Sequence, residues 1–286
     1  MRSPVSDPGC RLLRVFGGAV VCALLLAGPA GTEAEGTDPF PSLAASYLLR
    51  LNGADLWAHD PDRPLPPASL TKIMTALLAI ESGRLEETAT VTEAAARETG
   101  TRLGLLPGDR MRVGDLLAAT MLGSANDAAR TLADHLAGNE EKFVLLMNRR
   151  ARELGMRKTR FANATGHDNP EHRSTAADLA RLAAAALSHE RFSRLVAEID
   201  REVRTVDGKR SFRLENKNEL VGRYRGAVGV KSGYTPGAGP CLVAIARRGA
   251  DRVLLVLLNA PNRWWDAEAV MDRAFLEAKR KPKDSR

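Results

Sequence analysis

Strand-like segments stand at the two ends of this chain and helix-like segments fill its middle. The stretch "SYLLRLNGADLWAH" (46–59) reads as a hairpin, two extended runs around Asn52-Gly53, a strong two-residue turn signal. Near the other end, "GAVGVKSGYT" (226–235), "PCLVAIARRG" (240–249) and "RVLLVLLNA" (252–260) read as three strands joined by Gly/Pro and Gly-Ala-Asp turns. "VRTVDGKRSFRLEN" (203–216), with Asp207-Gly208, reads as a second hairpin. Between them lie three helical patterns: 113–138, interrupted at Gly123; 141–156, ending near Gly155; and 174–188, whose start is read as a capping box at Ser174 with Asp178 nearby. "RWWDAEAVMDRAFLEAKR" (263–280) is a closing amphipathic helix. A sheet built from both ends, with helices between, makes the fold class α+β.

The first residues differ from the rest. Arg2, Arg11 and Arg14 surround the approach to an apolar run from Val15 to Ala27, and small residues follow. That order reads as a secretory signal peptide over about residues 1–34, the run being short for a membrane span. The alternative is an uncleaved anchor. The domain reading is then 1–34 signal, 35–280 catalytic domain and 281–286 short basic tail. Cys10 and Cys22 fall in the leader, so only Cys241 remains and no internal disulfide is expected. The whole chain carries a net charge of +7; residues 1–34 hold three Arg and two acids, which leaves +6. That charge is spread out, with no aromatic-interleaved basic stripe, so nucleic acid is not an expected partner. The five histidines are scattered and read as structural or surface residues, and no ligand cluster suggests a metal or cofactor.

Three short patterns carry chemistry. In "PPASLTKIMTALLAIE" (66–81), Ser69 and Lys72 are three apart at the start of an almost wholly apolar helix, which is therefore buried. Burial disfavours a charged lysine; a fall of about three pKa units corresponds to roughly 4 kcal/mol. A neutral amine one turn from a serine hydroxyl takes its proton and makes it a nucleophile. In "MLGSANDAA" (121–129), Ser124 and Asn126 sit at a helix break. In "VGVKSGYTPGAG" (228–239), Lys231, Ser232 and Thr235 offer a seat for a carboxylate, and Gly233 lets a substrate backbone come close. Each has a structural alternative when taken alone: a capping serine with a snorkelling lysine, an ordinary N-cap, and an edge strand blunted by a lysine.

Together, Ser-x-x-Lys, Ser-x-Asn 55 residues later and Lys-Ser-Gly 107 residues after that resemble the three-motif set of penicillin-binding proteins and serine β-lactamases. Here Ser232 stands where threonine is more usual. The surrounding segments, over about residues 43–278, resemble D-alanyl-D-alanine carboxypeptidases of the low-molecular-mass penicillin-binding type. The resemblance implies a penicillin-recognising fold, an antiparallel sheet flanked by helices with a mostly helical middle region. It implies an exported enzyme, acting in the periplasm or wall space, that removes the terminal D-alanine from peptidoglycan stem pentapeptides. β-Lactam antibiotics would be covalent inhibitors. Ser69 would be the nucleophile, Lys72 its base and Ser124 a proton relay. Asn126 would hold the acyl-side amide. Lys231, Ser232 and Thr235 would bind the terminal carboxylate, and the N–H groups of Ser69 and Tyr234 would form the oxyanion hole. Many members of the family carry a β-rich domain and an amphipathic anchor after this region; the stop at Arg286 favours a soluble enzyme with no membrane span once the signal is removed.

The nearest rival is a β-lactamase, but "RKTRFANATGHDNPEH" (157–172) lacks the E-x-x-L-N pattern of its deacylating glutamate. A silent binder of wall peptides, and a transpeptidase or endopeptidase on the same scaffold, are the others.

Overall fold

The computed structural model describes residues 38–280; the expected signal peptide and the basic tail at 281–286 lie outside them. Strands β1 (Ser46–Leu51) and β2 (Ala54–His59) form the first hairpin. Its turn residues Asn52 and Gly53 both have positive φ, as a two-residue turn of this kind requires. The chain then runs through α1 (Lys72–Glu81), β3 (Thr88–Thr90), α2 (Glu93–Ala96), β4 (Arg110–Arg112), α3 (Val113–Met121), α4 (Asn126–Ala137), α5 (Glu140–Glu153), α6 (Ala176–Leu187) and α7 (Glu190–Val196). It returns through β5 (Asp200–Arg204), β6 (Ser211–Glu215), β7 (Ala227–Thr235), β8 (Gly239–Arg248), β9 (Asp251–Leu258) and α8 (Arg263–Arg280).

The main sheet has the order β2-β1-β9-β8-β7, and every pairing is antiparallel. The first and last strands meet where β1 pairs with β9, Ser46 opposite Leu258 and Leu51 opposite Val253. Both faces of this sheet are covered. Tyr47, Leu49, Leu242, Ala244, Leu255 and Leu257 pack against Val270, Met271 and Phe275 of α8. Leu48, Val243, Ile245, Leu254 and Val256 pack into the core of the helical region. Burial on both faces is why "RVLLVLLNA" is apolar without alternation.

The third helical pattern starts one residue later than its sequence suggests. Thr175, not Ser174, is the N-cap: its hydroxyl accepts from Asp178 N–H at 3.0 Å. Ser174 instead pairs its backbone with Leu65. Thr175→Ala should cost about 1 kcal/mol, a fall in Tm of roughly 2–4 °C for a chain of this size; a thermal melt measures it, and an unchanged Tm would remove the cap from the account.

Candidate active site

The site lies where the 3-10 turn Ala68–Thr71, which leads into α1, packs beside the edge strand β7. Ser69 sits half-buried in that turn. The residue before it, Ala68, has φ of +49°, a strained conformation for an L-residue. Two glycines hold the strained turn. A Cβ on Gly166 would come within 2.0 Å of Ala68 O and 2.9 Å of Ser69 N; one on Gly233 would come within 2.9 Å of Ser69 N. No side chain fits at either position.

Lys72 is wholly buried. Its Nζ lies 2.6 Å from Asn126 Oδ1, 2.6 Å from Thr165 O and 3.0 Å from Ser69 Oγ. Burial, and then the charge of Lys231, hold its pKa well below the lysine range, although Glu98 and Asp127 act the other way. In the neutral amine the two N–H groups go to the two carbonyl oxygens. The lone pair is then left on the Ser69 side, where the serine O–H donates to it. A buried base is thereby aimed at a serine.

Local structure places the remaining groups. Ser124 has φ of +58°, a left-handed residue in the short break between α3, which ends at Met121, and α4. Ala125 N–H closes back to Ala119 O at 3.1 Å across it. Asn126 opens α4 directly afterwards, and the neighbouring Asp127 carboxylate anchors the turn by accepting from the N–H groups of Leu103, Gly104 and Leu105. Lys72 thus meets Ser69 and Asn126; the Ser124 hydroxyl has no hydrogen-bond partner among the described residues. Asn163 Oδ1 accepts from Gly166 N–H at 2.7 Å and His167 N–H at 3.1 Å, a tight turn that presents Thr165 O to Lys72.

Lys231 of β7 is buried, so it does not blunt an edge. Its Nζ donates to Ser232 O at 2.9 Å, and burial, with the charges of Arg263 and Lys217, brings its pKa down to about 7. Ser232 Oγ donates to Lys217 O. Thr235 Oγ1 donates to Asp168 Oδ1 at 2.6 Å, and Gly237 N–H donates to Asp168 Oδ2, so the loop after α5 is clasped to the β7–β8 turn. Tyr234 is opposite Pro240, which has no N–H and whose carbonyl accepts from Ala260 N–H at 2.8 Å. That pair therefore makes no ladder bonds, and Tyr234 N–H points away from β8, off the sheet edge. The Tyr234 side chain is exposed.

Arg263 was not read from the sequence, and His172 was read there only as a structural or surface residue. Arg263, the first residue of α8, donates through Nη1 to Gly233 O at 2.7 Å and adds positive charge beside Lys231. His172 is buried and bonds to Thr71 Oγ1 at 2.9 Å, fixing the residue just before Lys72; burial lowers its pKa to about 4, so it is neutral near pH 7. His167 also borders the site rather than an open surface, its ring 3.3 Å from Asn126 Nδ2. The "WW" beside Arg263 was the available signal for the first; nothing local marks the histidines.

Keeping Lys231 buried is costly. Its pKa is below the unfolded value, so the unfolded chain binds more protons between about pH 7 and 10.5. Stability therefore rises with pH across that window, and the penalty is full below pH 7. Lys231→Met keeps the volume, removes a penalty of about 4 kcal/mol and gives up one bond to a carbonyl. The variant should melt several degrees higher at pH 7 and lose part of the rise in Tm with pH; a lower Tm would contradict this.

A family model described as D-alanyl-D-alanine carboxypeptidase (peptidase S11) matches residues 44–262, most of the chain. The chain belongs to this family. It is 36% identical over 222 residues to the D-alanyl-D-alanine carboxypeptidase DacF of Bacillus subtilis, covering 76% of this chain and 57% of that protein; the chain thus spans a little over half of that relative's length. Among solved structures, a point mutant of the Streptomyces K15 DD-transpeptidase superposes with a TM-score of 0.77 at 30% identity, covering 82% of this chain and 98% of the other. Penicillin-binding protein D2 of Listeria monocytogenes in its ampicillin-bound form superposes at 0.71 and 32% identity, covering 81% and 97%. The expected fold, an antiparallel sheet flanked by helices, is the fold of these low-molecular-mass penicillin-binding proteins.

Proposed function

We propose that the protein is a serine-type D-Ala-D-Ala carboxypeptidase of cell wall biogenesis that also binds penicillin covalently. The observation that carries this reading is the buried amine of Lys72, 3.0 Å from Ser69 Oγ with its N–H groups committed elsewhere. Ser69 Oγ attacks the carbonyl carbon of the penultimate D-alanine while its proton passes to Lys72 Nζ. The N–H groups of Ser69 and Tyr234 receive the developing oxyanion. The bond to the terminal D-alanine then breaks and its nitrogen takes a proton, relayed through Ser124. Water attacks the ester and frees Ser69. Asn126 holds the acyl-side amide. Lys231 and Ser232, with Arg263 beside them, form the positive end that takes the terminal carboxylate. Thr235 joins them when its hydroxyl leaves Asp168.

Residues 1–34 serve as an export signal, 35–280 as the catalytic domain and 281–286 as a basic tail, so the enzyme works outside the cytoplasm. No described helix is long and apolar enough to cross a membrane. The β-lactamase reading is weakened by Glu171, the one glutamate in the 157–172 loop, which is exposed and paired with Arg160 at 2.9 Å.

The test is incubation of the protein with an N-acylated tripeptide ending in D-Ala-D-Ala. Stoichiometric release of free D-alanine supports the reading. Transfer to an added amino acceptor in preference to water would make it a transpeptidase, and no release from a folded protein would sink the proposal.

A further inference from the structure

The Asn126 amide has two N–H groups, and they face different partners. One donates to Thr99 O at 2.6 Å; the other is directed at His167 Nε2, 3.3 Å away. The same Nε2 lies 3.1 Å from Glu98 Oε2. A single ring nitrogen thus has a donor on one side and an acceptor on the other. Carrying a proton, it bonds to Glu98 and has no lone pair for Asn126. Without one, it accepts from Asn126 but sets its lone pair against a carboxylate.

The surroundings favour the first arrangement. Glu98 is largely buried, and burial alone would raise its pKa, yet its bonds to His167 and Arg130 hold it below the ordinary carboxylate range. Arg130 also pairs with Asp134 and Glu140, both at 3.0 Å. Lys72 sits on the oxygen of the same Asn126 amide, and Asp168, next to His167 in sequence, is turned to Thr235 and Gly237. Gly100 leaves the space that brings these groups together: a Cβ there would stand 3.0 Å from Asn126 Nδ2. His167 is partly exposed, so the junction borders the cleft.

We infer that His167 is a positioning residue of the acyl-side subsite. With its Nε2–H committed to Glu98, it takes no bond from the outer N–H of Asn126, which is left for the carbonyl of a substrate's acyl-side amide. This rests on the function proposed above. It predicts a preference for ligands that carry that amide, set by a residue pair remote from Ser69 in sequence.

The experiment compares acylation by benzylpenicillin, which bears a side-chain amide, with acylation by 6-aminopenicillanic acid, which bears a free amine there. His167→Leu should slow benzylpenicillin about five- to tenfold, the value of roughly one hydrogen bond, and 6-aminopenicillanic acid less than about twofold on the same argument. His167→Gln keeps a donor for Glu98 and should restore most of the loss. An equal fall with both compounds, or no fall with either, overturns the inference, as does failure of glutamine to rescue. Should His167→Leu not fold, Glu98→Gln must narrow the ratio of the two rates in the same way, and an unchanged ratio overturns the inference. Failure of the wild-type protein to be acylated by either compound would show instead that the proposed function is wrong, and the inference would fall with it.

Discussion

Lys72→Gln is expected to slow acylation of Ser69 by benzylpenicillin about 10³–10⁴-fold, the upper range of a general base's contribution, with Lys72→Arg no better. Lys72 is useful as a neutral amine, and its burial together with the nearby Lys231 lowers its pKa to make that form accessible. Glutamine keeps N–H donors for Asn126 and Thr165 but has no basic lone pair. Arginine keeps the charge and never gives it up. Stopped-flow acylation measures the loss, with circular dichroism to show that each variant is folded. In the wild type the rate should fall as pH drops through the Lys72 pKa, well below the ordinary 10.5 of lysine. Arginine restoring a substantial rate would mean that Lys72 acts by charge alone.

Gly166→Ala is the second large effect, and it acts on the fold and the nucleophile together. Gly166 has φ of +93°, which costs an L-residue roughly 1–2 kcal/mol. The added methyl would also stand 2.0 Å from Ala68 O and 2.9 Å from Ser69 N, against backbone atoms that have no rotamer to yield. The expected loss of stability is more than about 3 kcal/mol, with acylation slowed because the Ser69 turn must shift. Gly208→Ala is the control: its φ is +71°, but nothing lies within 4 Å of the new methyl, so only the conformational cost of about 1 kcal/mol remains. Urea denaturation of the two variants gives the difference. Equal losses would mean that the packing of Gly166 under the nucleophile turn contributes nothing.

These two residues show how differently the sequence exposes its content. Ser69 and Lys72 were legible because both chemistry and burial are encoded within one helical turn of an apolar segment. The hairpin at Asn52-Gly53 and the three late strands were legible for the same local reason. Gly166 was not, since its requirement comes from Ala68, almost a hundred residues earlier in the chain. The ribbons β3 and β4, three residues each, are too short to show a period. Asp127 reads as an ordinary helix residue until the 103–105 loop folds over it, and Asp168 as a loop acid until Thr235 and Gly237 reach it. Polar side chains of this kind declare their partners only after distant backbone has been placed. Thr235 shows the consequence: its residue type suggested a carboxylate ligand, and the fold gives its hydroxyl to another acid.

The reaction proposed for Ser69 is most directly tested by intact mass of the protein after mixing with benzylpenicillin, beside Ser69→Ala. β-Lactam opening expels no fragment, so an acyl-enzyme gains the whole mass of one penicillin. One such adduct on the wild type and none on the folded Ser69→Ala variant is the predicted result. An adduct that persists in the variant would place the nucleophile elsewhere, and no adduct on either protein would leave a fold that binds wall peptides without acting on them.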